Sequence, residues 1–276
     1  EHKHKAGDVV RFTEGGVELE EAFGTTQALP AGLQLKAGYF LSEFGRVNPT
    51  HPHAWNWLDQ PVIATRLFGG EGMRAAGARL GWLTPLPWFS EFQLTLQNAS
   101  GETMPSYLAS AGGAAAHAHE KVPGSPVAVL DRLLHEESDE EHPTGIGGRP
   151  LVERDVKSLG DLAWLLRWTN AGSLSSAVSA QWGLSAMTGP NATGPDGRTW
   201  LYGGDLVVKW RPADNRRGWP FLSWEAELMA RQYRADAFFD DDDPDEVIDL
   251  PRETLKDWGF YTQLLYGFRY RWAAGA

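Results

Sequence analysis

The chain has no cysteine, which excludes a disulfide scaffold, a thiolate zinc site and a cysteine nucleophile. An absence of thiols does not by itself assign a compartment. Long apolar runs are missing too; the longest purely apolar stretches are only a few residues, as in Val127-Ala128-Val129-Leu130. A transmembrane helix needs about 20 apolar residues, so helical spans are excluded. Membrane-crossing strands are not, because their signal is alternation rather than bulk hydropathy. Basic residues are the minority, 25 Lys+Arg against 36 Asp+Glu, for a formal net charge of −11. That argues against a nucleic-acid partner, which needs a basic face. No leader is visible before the opening Glu1-His2-Lys3-His4-Lys5, so an exported protein would be in a processed form.

What the 276 residues do contain is glycine (31) and tryptophan (13) in quantity, arranged with period two. Leu33, Leu35, Ala37, Tyr39 and Leu41 alternate with Gln34, Lys36, Gly38 and Phe40. Phe92, Leu94 and Leu96 alternate with Gln93, Thr95 and Gln97, and Leu162, Trp164, Leu166 and Trp168 with Asp161, Ala163, Arg167 and Thr169. The pattern recurs over 174–187, 200–211 and 222–228, and again from Trp258 to Trp272. Alternation of this kind predicts half-buried β-strands. With weaker strands at 17–27 and 72–83 the count is about nine, each roughly 10 to 15 residues against a usual mode of about 5 to 6.

The connections carry the next inference. Short turns at 29–32, 84–87 and 170–173 and a modest one at 212–219 alternate with long segments at about 43–71, 99–156, 188–199 and 234–256. A transmembrane up-and-down antiparallel barrel predicts this rhythm, with short periplasmic turns and long outer loops. Trp82, Trp88, Trp168, Trp210, Trp219 and Trp272 gather at the short-turn ends, and Tyr39, Trp200 and Trp258 at the other, as two membrane interfaces require. The expectation is an all-β chain forming one barrel domain over 1–276. A secreted, Trp-rich β-sandwich binding carbohydrate explains the strands but not the loop rhythm.

The runs Leu33–Phe40, Phe44-Gly45-Arg46-Val47-Asn48, His51-Pro52-His53-Ala54-Trp55, Phe68-Gly69-Gly70-Glu71-Gly72, Gly81–Pro87, Lys209-Trp210-Arg211-Pro212 and Gly259-Phe260-Tyr261 resemble a family of Gram-negative outer-membrane porin-like proteins. Some of its members are labelled zinc-regulated outer-membrane receptors. The resemblance spans about 15–272 and is most specific from Phe44 to His53. It implies an outer-membrane channel for passive passage of small solutes or ions, in contact with outer-membrane lipid and lipopolysaccharide, with homo-oligomerisation open. Two features depart from a finished barrel: nine strands is odd where bacterial barrels are even, and the last residues, Trp272-Ala273-Ala274-Gly275-Ala276, lack a terminal aromatic. Strands are therefore expected to be missing at one or both ends, or unread within 46–70 or 99–157.

Polar-face residues would line the lumen: Lys36, Arg74, Arg167, Lys209, Arg211, Glu225, Glu227, Arg231, Arg269 and Arg271. Charge rings set ion preference in pores, and mutual pairing across strands is the competing role. Six of the eight histidines form His-x-His pairs, whose imidazoles share a side in extended chain. His117 and His119 with Glu120 and His142 could hold a divalent metal such as Zn, whereas His51 and His53 read as structural beside Trp55. The acidic run Asp240–Glu246 could hold Ca or be simply solvated. The stretch 127–134 has near-helical apolar spacing. No cofactor is required, and no nucleophile elbow, phosphate loop or zincin motif occurs. Glu225 and Glu227 lie on one strand face and form a carboxylate pair an outer-membrane enzyme could use.

Overall fold

The computed structural model describes residues 19–26, 29–55, 57, 59–108, 145–152, 154–240 and 248–276. Its backbone is a ten-stranded antiparallel meander. In order across the sheet lie β1 (Ala22–Thr25), β2 (Leu33–Leu41), β3 (Arg74–Leu83), β4 (Phe89–Asn98), β5 (Leu162–Ser173), β6 (Val178–Pro190), β7 (Arg198–Trp210), β8 (Phe221–Ala235), β11 (Glu253–Arg269) and β12 (Trp272–Gly275). A separate hairpin, β9 (Phe238–Asp240) with β10 (Ile248–Leu250), stands in the connection from β8 to β11. Among the described residues β1 and β12 are not paired with each other, so the sheet is open. Among the described residues no helix is long and apolar enough to cross a membrane.

The register shows why alternation was informative. Leu35, Leu80, Leu94, Leu166, Ala186, Tyr202, Ala230 and Trp258 are successive cross-strand partners on eight neighbouring strands. This apolar row lies on one face, and that face is exposed: Leu166 is 53% and Trp258 71% accessible. Near the short-turn end Trp82 stacks on Phe92, Phe92 on Trp168, and Trp168 meets Trp182 edge-on, with centroids 6.2, 5.4 and 4.8 Å apart. The adjoining row on the opposite face is polar or small except for Met229: Gln34, Gly81, Gln93, Arg167, Ser185, Gly203, Met229 and Gly259.

The hydrophobic core is on that second face. The connection 42–73 between β2 and β3, expected to be an outer loop, folds back over the sheet and carries helix α1 (Val62–Phe68). Its Phe44, Ile63, Leu67 and Phe68, with Met104 and Tyr107 from the next long connection, pack on Leu165, Met187, Leu201 and Met229. Glycines make the space: a Cβ on Gly203 would stand 2.6 Å from the Phe44 ring, one on Gly259 3.0 Å from Ile63, and one on Gly189 2.9 Å from Tyr107. Because this inserted arm touches strands from β3 to β11, the sheet must curl around it.

Two amides clamp the arm's base. Buried Asn48 donates to the carbonyls of Ser42 (2.6 Å) and Met73 (3.1 Å) and accepts from Met73 N–H (2.7 Å). Gln97 on β4 donates to the carbonyls of Phe40 and Ala75 and accepts from the Ser42 hydroxyl. With both arm ends tied to the sheet, buried backbone groups that water would otherwise have to satisfy are paired.

Several sequence expectations need correction. The final strand does not run through to Trp272: the chain reverses at Tyr270-Arg271, with Arg271 at φ 64°, and β12 returns along β11. That adds a tenth strand to the nine expected. The loop rhythm also has an exception, because β6 and β7 extend far into the segment 188–199. They leave a connection of 191–197, shorter than the 211–220 turn on the opposite side. The segment 127–134 lies outside the described residues.

Candidate functional site

The polar inner face and the arm together form a charged, largely buried layer. Nearest β2 and β3, Glu43 of the arm accepts from Lys36 Nζ at 3.2 Å and from Arg79 Nη1 at 2.6 Å, and Arg79 also donates to Gln34. Two residues on, Gly45 N–H donates to Ser185 Oγ at 3.1 Å, and the same hydroxyl accepts from Arg167 at 2.8 Å. Arg167 in turn pairs in fork fashion with Asp205, at 2.9 and 3.2 Å. Arg46 reaches β8 twice: its backbone N–H donates to Glu227 Oε1 at 3.1 Å, and its guanidinium pairs with Glu225 at 3.2 Å. Tyr261 donates to Glu227 Oε2 at 2.8 Å. Below helix α1, Arg231 pairs with Asp257 and donates to Ser106 at 3.0 Å.

Gly45 is required where the arm meets β8. Its φ is 61°, and a Cβ would overlap the Glu227 carboxylate; only glycine accepts both the left-handed conformation and the contact. The cations Lys36, Arg46, Arg79, Arg167 and Arg231 thus face Glu43, Glu225, Glu227, Asp205 and Asp257. Burial of a charge is tolerated when it is paired and hydrogen-bonded. Between the arm and β4–β5 a cleft of about 630 Å³ remains, lined by Glu91, Gln93, Arg167 and Thr169 from the sheet and Glu43, Arg46 and Thr50 from the arm.

The lumen set expected from sequence therefore divides. Lys36, Arg167, Glu225, Glu227 and Arg231 lie on the inner face, and so does Arg74, which pairs with Glu71 at 2.9 Å. Lys209, Arg211, Arg269 and Arg271 do not join that buried layer: they sit exposed at the short-turn ends of β7 and β11. Lys209 and Arg269 have the polar-face parity, but at the end of a strand that parity leads to solvent. The partners Glu43, Arg79, Asp205 and Asp257 were not singled out; Arg46 and Tyr261 were quoted only as parts of motifs. Their signal was the polar parity of their strands, and for the arm the glycines set among strand residues.

His51 Nε2 donates to Glu21 Oε2 (2.9 Å) and its Nδ1 lies 3.2 Å from Glu20, while His53 stacks on it at 5.5 Å. Trp55 Nε1 donates to the Thr50 carbonyl at 2.9 Å. The motif ties the arm to the segment before β1. His117, His119, Glu120 and His142 lie outside the described residues. No group of three or more metal-ligating side chains is assembled among the described ones.

At the long-loop end, two carboxylates anchor connections. Asp161 precedes β5 and has its carboxyl held down at about 2 by hydrogen bonds from Arg154 and then Ser158, whose hydroxyl caps the same turn. Asp236 follows β8. Burial raises its carboxyl, but bonds from the Asp196 N–H, Arg252 and the Ala237 N–H outweigh that and hold it below the ordinary range.

Comparison with known proteins adds little chemistry. The chain is 28% identical over 266 residues to a protein of Aquifex aeolicus (strain VF5) described only as uncharacterized. The match covers 96% of this chain and 48% of that protein, so the chain spans about half its length. No known family profile matches. No solved structure matches.

Proposed function

We infer that the ten strands form wall of a transmembrane β-barrel in a bacterial outer membrane, serving as a porin-like channel for small solutes or ions. One observation carries this reading. The uninterrupted apolar row from Leu35 to Trp258 is exposed, while the core and the paired charges occupy the opposite face. A soluble sandwich buries its apolar faces against each other; a barrel turns them to lipid. The spacing of the aromatics supports it. Trp200 and Trp210 both lie on the outward face of β7; their separation is about 34 Å along the strand at about 3.4 Å per residue. A strand tilt of about 40° reduces that to about 26 Å, the height of an outer-membrane apolar band.

Unpaired strand edges are not tolerated in lipid, so the reading requires β1 and β12 to be paired in the membrane, within one chain or between chains. The inserted arm narrows the interior to a small charged passage. Planar-bilayer conductance of the detergent-purified chain tests the channel: stable ohmic steps support it, and a chain that inserts without conducting removes transport. Divalent-metal capture by His117, His119, Glu120 and His142 is a subsidiary part of the reading. Isothermal titration with Zn²⁺ before and after His117→Ala/His119→Ala tests it, and unchanged binding removes it.

A further inference from the structure

The chain is acidic overall, yet one sector of its short-turn end is basic. The β7–β8 connection and the strand end before it carry Lys209, Arg211, Arg216 and Arg217; the β11–β12 turn carries Arg269 and Arg271. Asp214 is the sole acid within 209–220 and 267–276, and the other tight turns, 29–32, 84–88 and 174–177, carry no charge at all. Because β8 and β11 are neighbours, the two basic turns meet. Trp219 packs edge-on against Tyr270 at 5.4 Å. The guanidinium groups of Arg217 and Arg271 both lie over the Tyr270 ring, 5.7 and 5.2 Å from its centre.

None of the six cations forms an ion pair with another described residue. Like charges collected on one ring repel each other, and the cation–π attraction of an exposed ring is about 0.5–1 kcal/mol, so the cluster gains most when an anion joins it. The position says which anion. Tyr270 has the parity of Phe260, Leu264, Tyr266 and Phe268, the exposed apolar stripe of β11. The guanidiniums therefore stand where that stripe ends, at the level of headgroups in the leaflet on the short-turn side. We propose that Arg217, Arg271 and Tyr270, with the neighbouring Arg211 and Arg216, form a binding site for the phosphate of an anionic phospholipid of the phosphatidylglycerol type.

This site rests on the barrel reading, and the experiment separates the two. The full chain is reconstituted in vesicles of phosphatidylcholine alone or of equal parts phosphatidylcholine and phosphatidylglycerol. It is floated on a density gradient in high salt, then released in detergent for native mass spectrometry. The expected result is flotation with both vesicle types and selective retention of phosphatidylglycerol. Retention should fall about thirtyfold in Arg217→Gln/Arg271→Gln, since each cation near an anionic surface contributes about 1 kcal/mol, and stay unchanged in the exposed Arg66→Gln. Flotation with both but equal retention of the two lipids, or undiminished retention in the double variant, overturns the lipid site and leaves the barrel standing. Failure to float with phosphatidylcholine overturns the barrel and the site with it. If the double variant does not itself float, Arg211→Gln/Arg216→Gln takes its place, with the same loss expected and the same retention contradicting it.

Discussion

The backbone N–H of Arg46 donates to Glu227 Oε1 at 3.1 Å across 181 residues of sequence. That bond fixes the tip of the inserted arm to the far side of the curled sheet, and Tyr261 completes the carboxylate's partners. Glu227→Ala leaves both donors unpaired in a site that is 2% exposed. Each orphaned donor costs about 1–3 kcal/mol, so urea unfolding in micelles should register a loss of about 2–6 kcal/mol. Arg46→Ala, which removes the guanidinium paired with Glu225 and widens the cleft, should raise single-channel conductance.

Gly203 and Phe44 are a matched pair. Gly203→Ala forces a methyl to 2.6 Å from the ring and should cost about 1–3 kcal/mol by overpacking, whereas Phe44→Ala should cost about 3–5 kcal/mol through the cavity left. Combined, the two changes should be less harmful than their sum, because the truncated side chain no longer opposes the methyl. Additive losses would place Phe44 elsewhere.

The turn before β5 should carry an acid-dependent contribution. The carboxyl of Asp161 is held at about 2 against an ordinary value near 3.9. Its folded value is depressed, so its contribution is present above about pH 4 and is lost as pH falls through about 2. Asp161→Asn should flatten the stability profile in that window alone. Ser158→Ala should weaken the same turn by about 1 kcal/mol at neutral pH.

The outward face distinguishes lipid from water. Leu228 is 54% exposed. Leu228→Arg should cost about 2–4 kcal/mol if the face meets the bilayer midplane, and within about 0.5 kcal/mol if it meets water. Folding titrations into vesicles measure the difference.

The strands were legible because period-two alternation reports a two-sided environment whatever the solvent on either side. The same indifference hid where the core would be: Leu166 and Met187 are both apolar, but one faces out and the other is buried under the arm. The arm 42–73 was read as a loop since it has no alternation and only a seven-residue helix; Gly189, Gly203 and Gly259 marked its docking surface among strand residues. The reversal at Tyr270-Arg271 lacked the Asn-Gly or Gly-X signal of a tight hairpin, so β11 was read through it and Arg271 was assigned to the lumen. Lys36, Arg167 and Glu227 were found by parity. Asp205 and Asp257 share that parity, but their importance comes from cross-strand partners that one sequence does not reveal.

The absence of cysteine makes the most direct measurement simple. Single cysteines placed in turn from Trp182 to Met187 on β6, spin-labelled and reconstituted in vesicles, report oxygen and polar-relaxant accessibility residue by residue. The account predicts that 182, 184 and 186 favour oxygen, as lipid-facing sites do, while 183, 185 and 187 are shielded from it by the arm and the sheet interior. The opposite phase, or a labelled chain that stays in water with 182, 184 and 186 protected, would contradict the barrel.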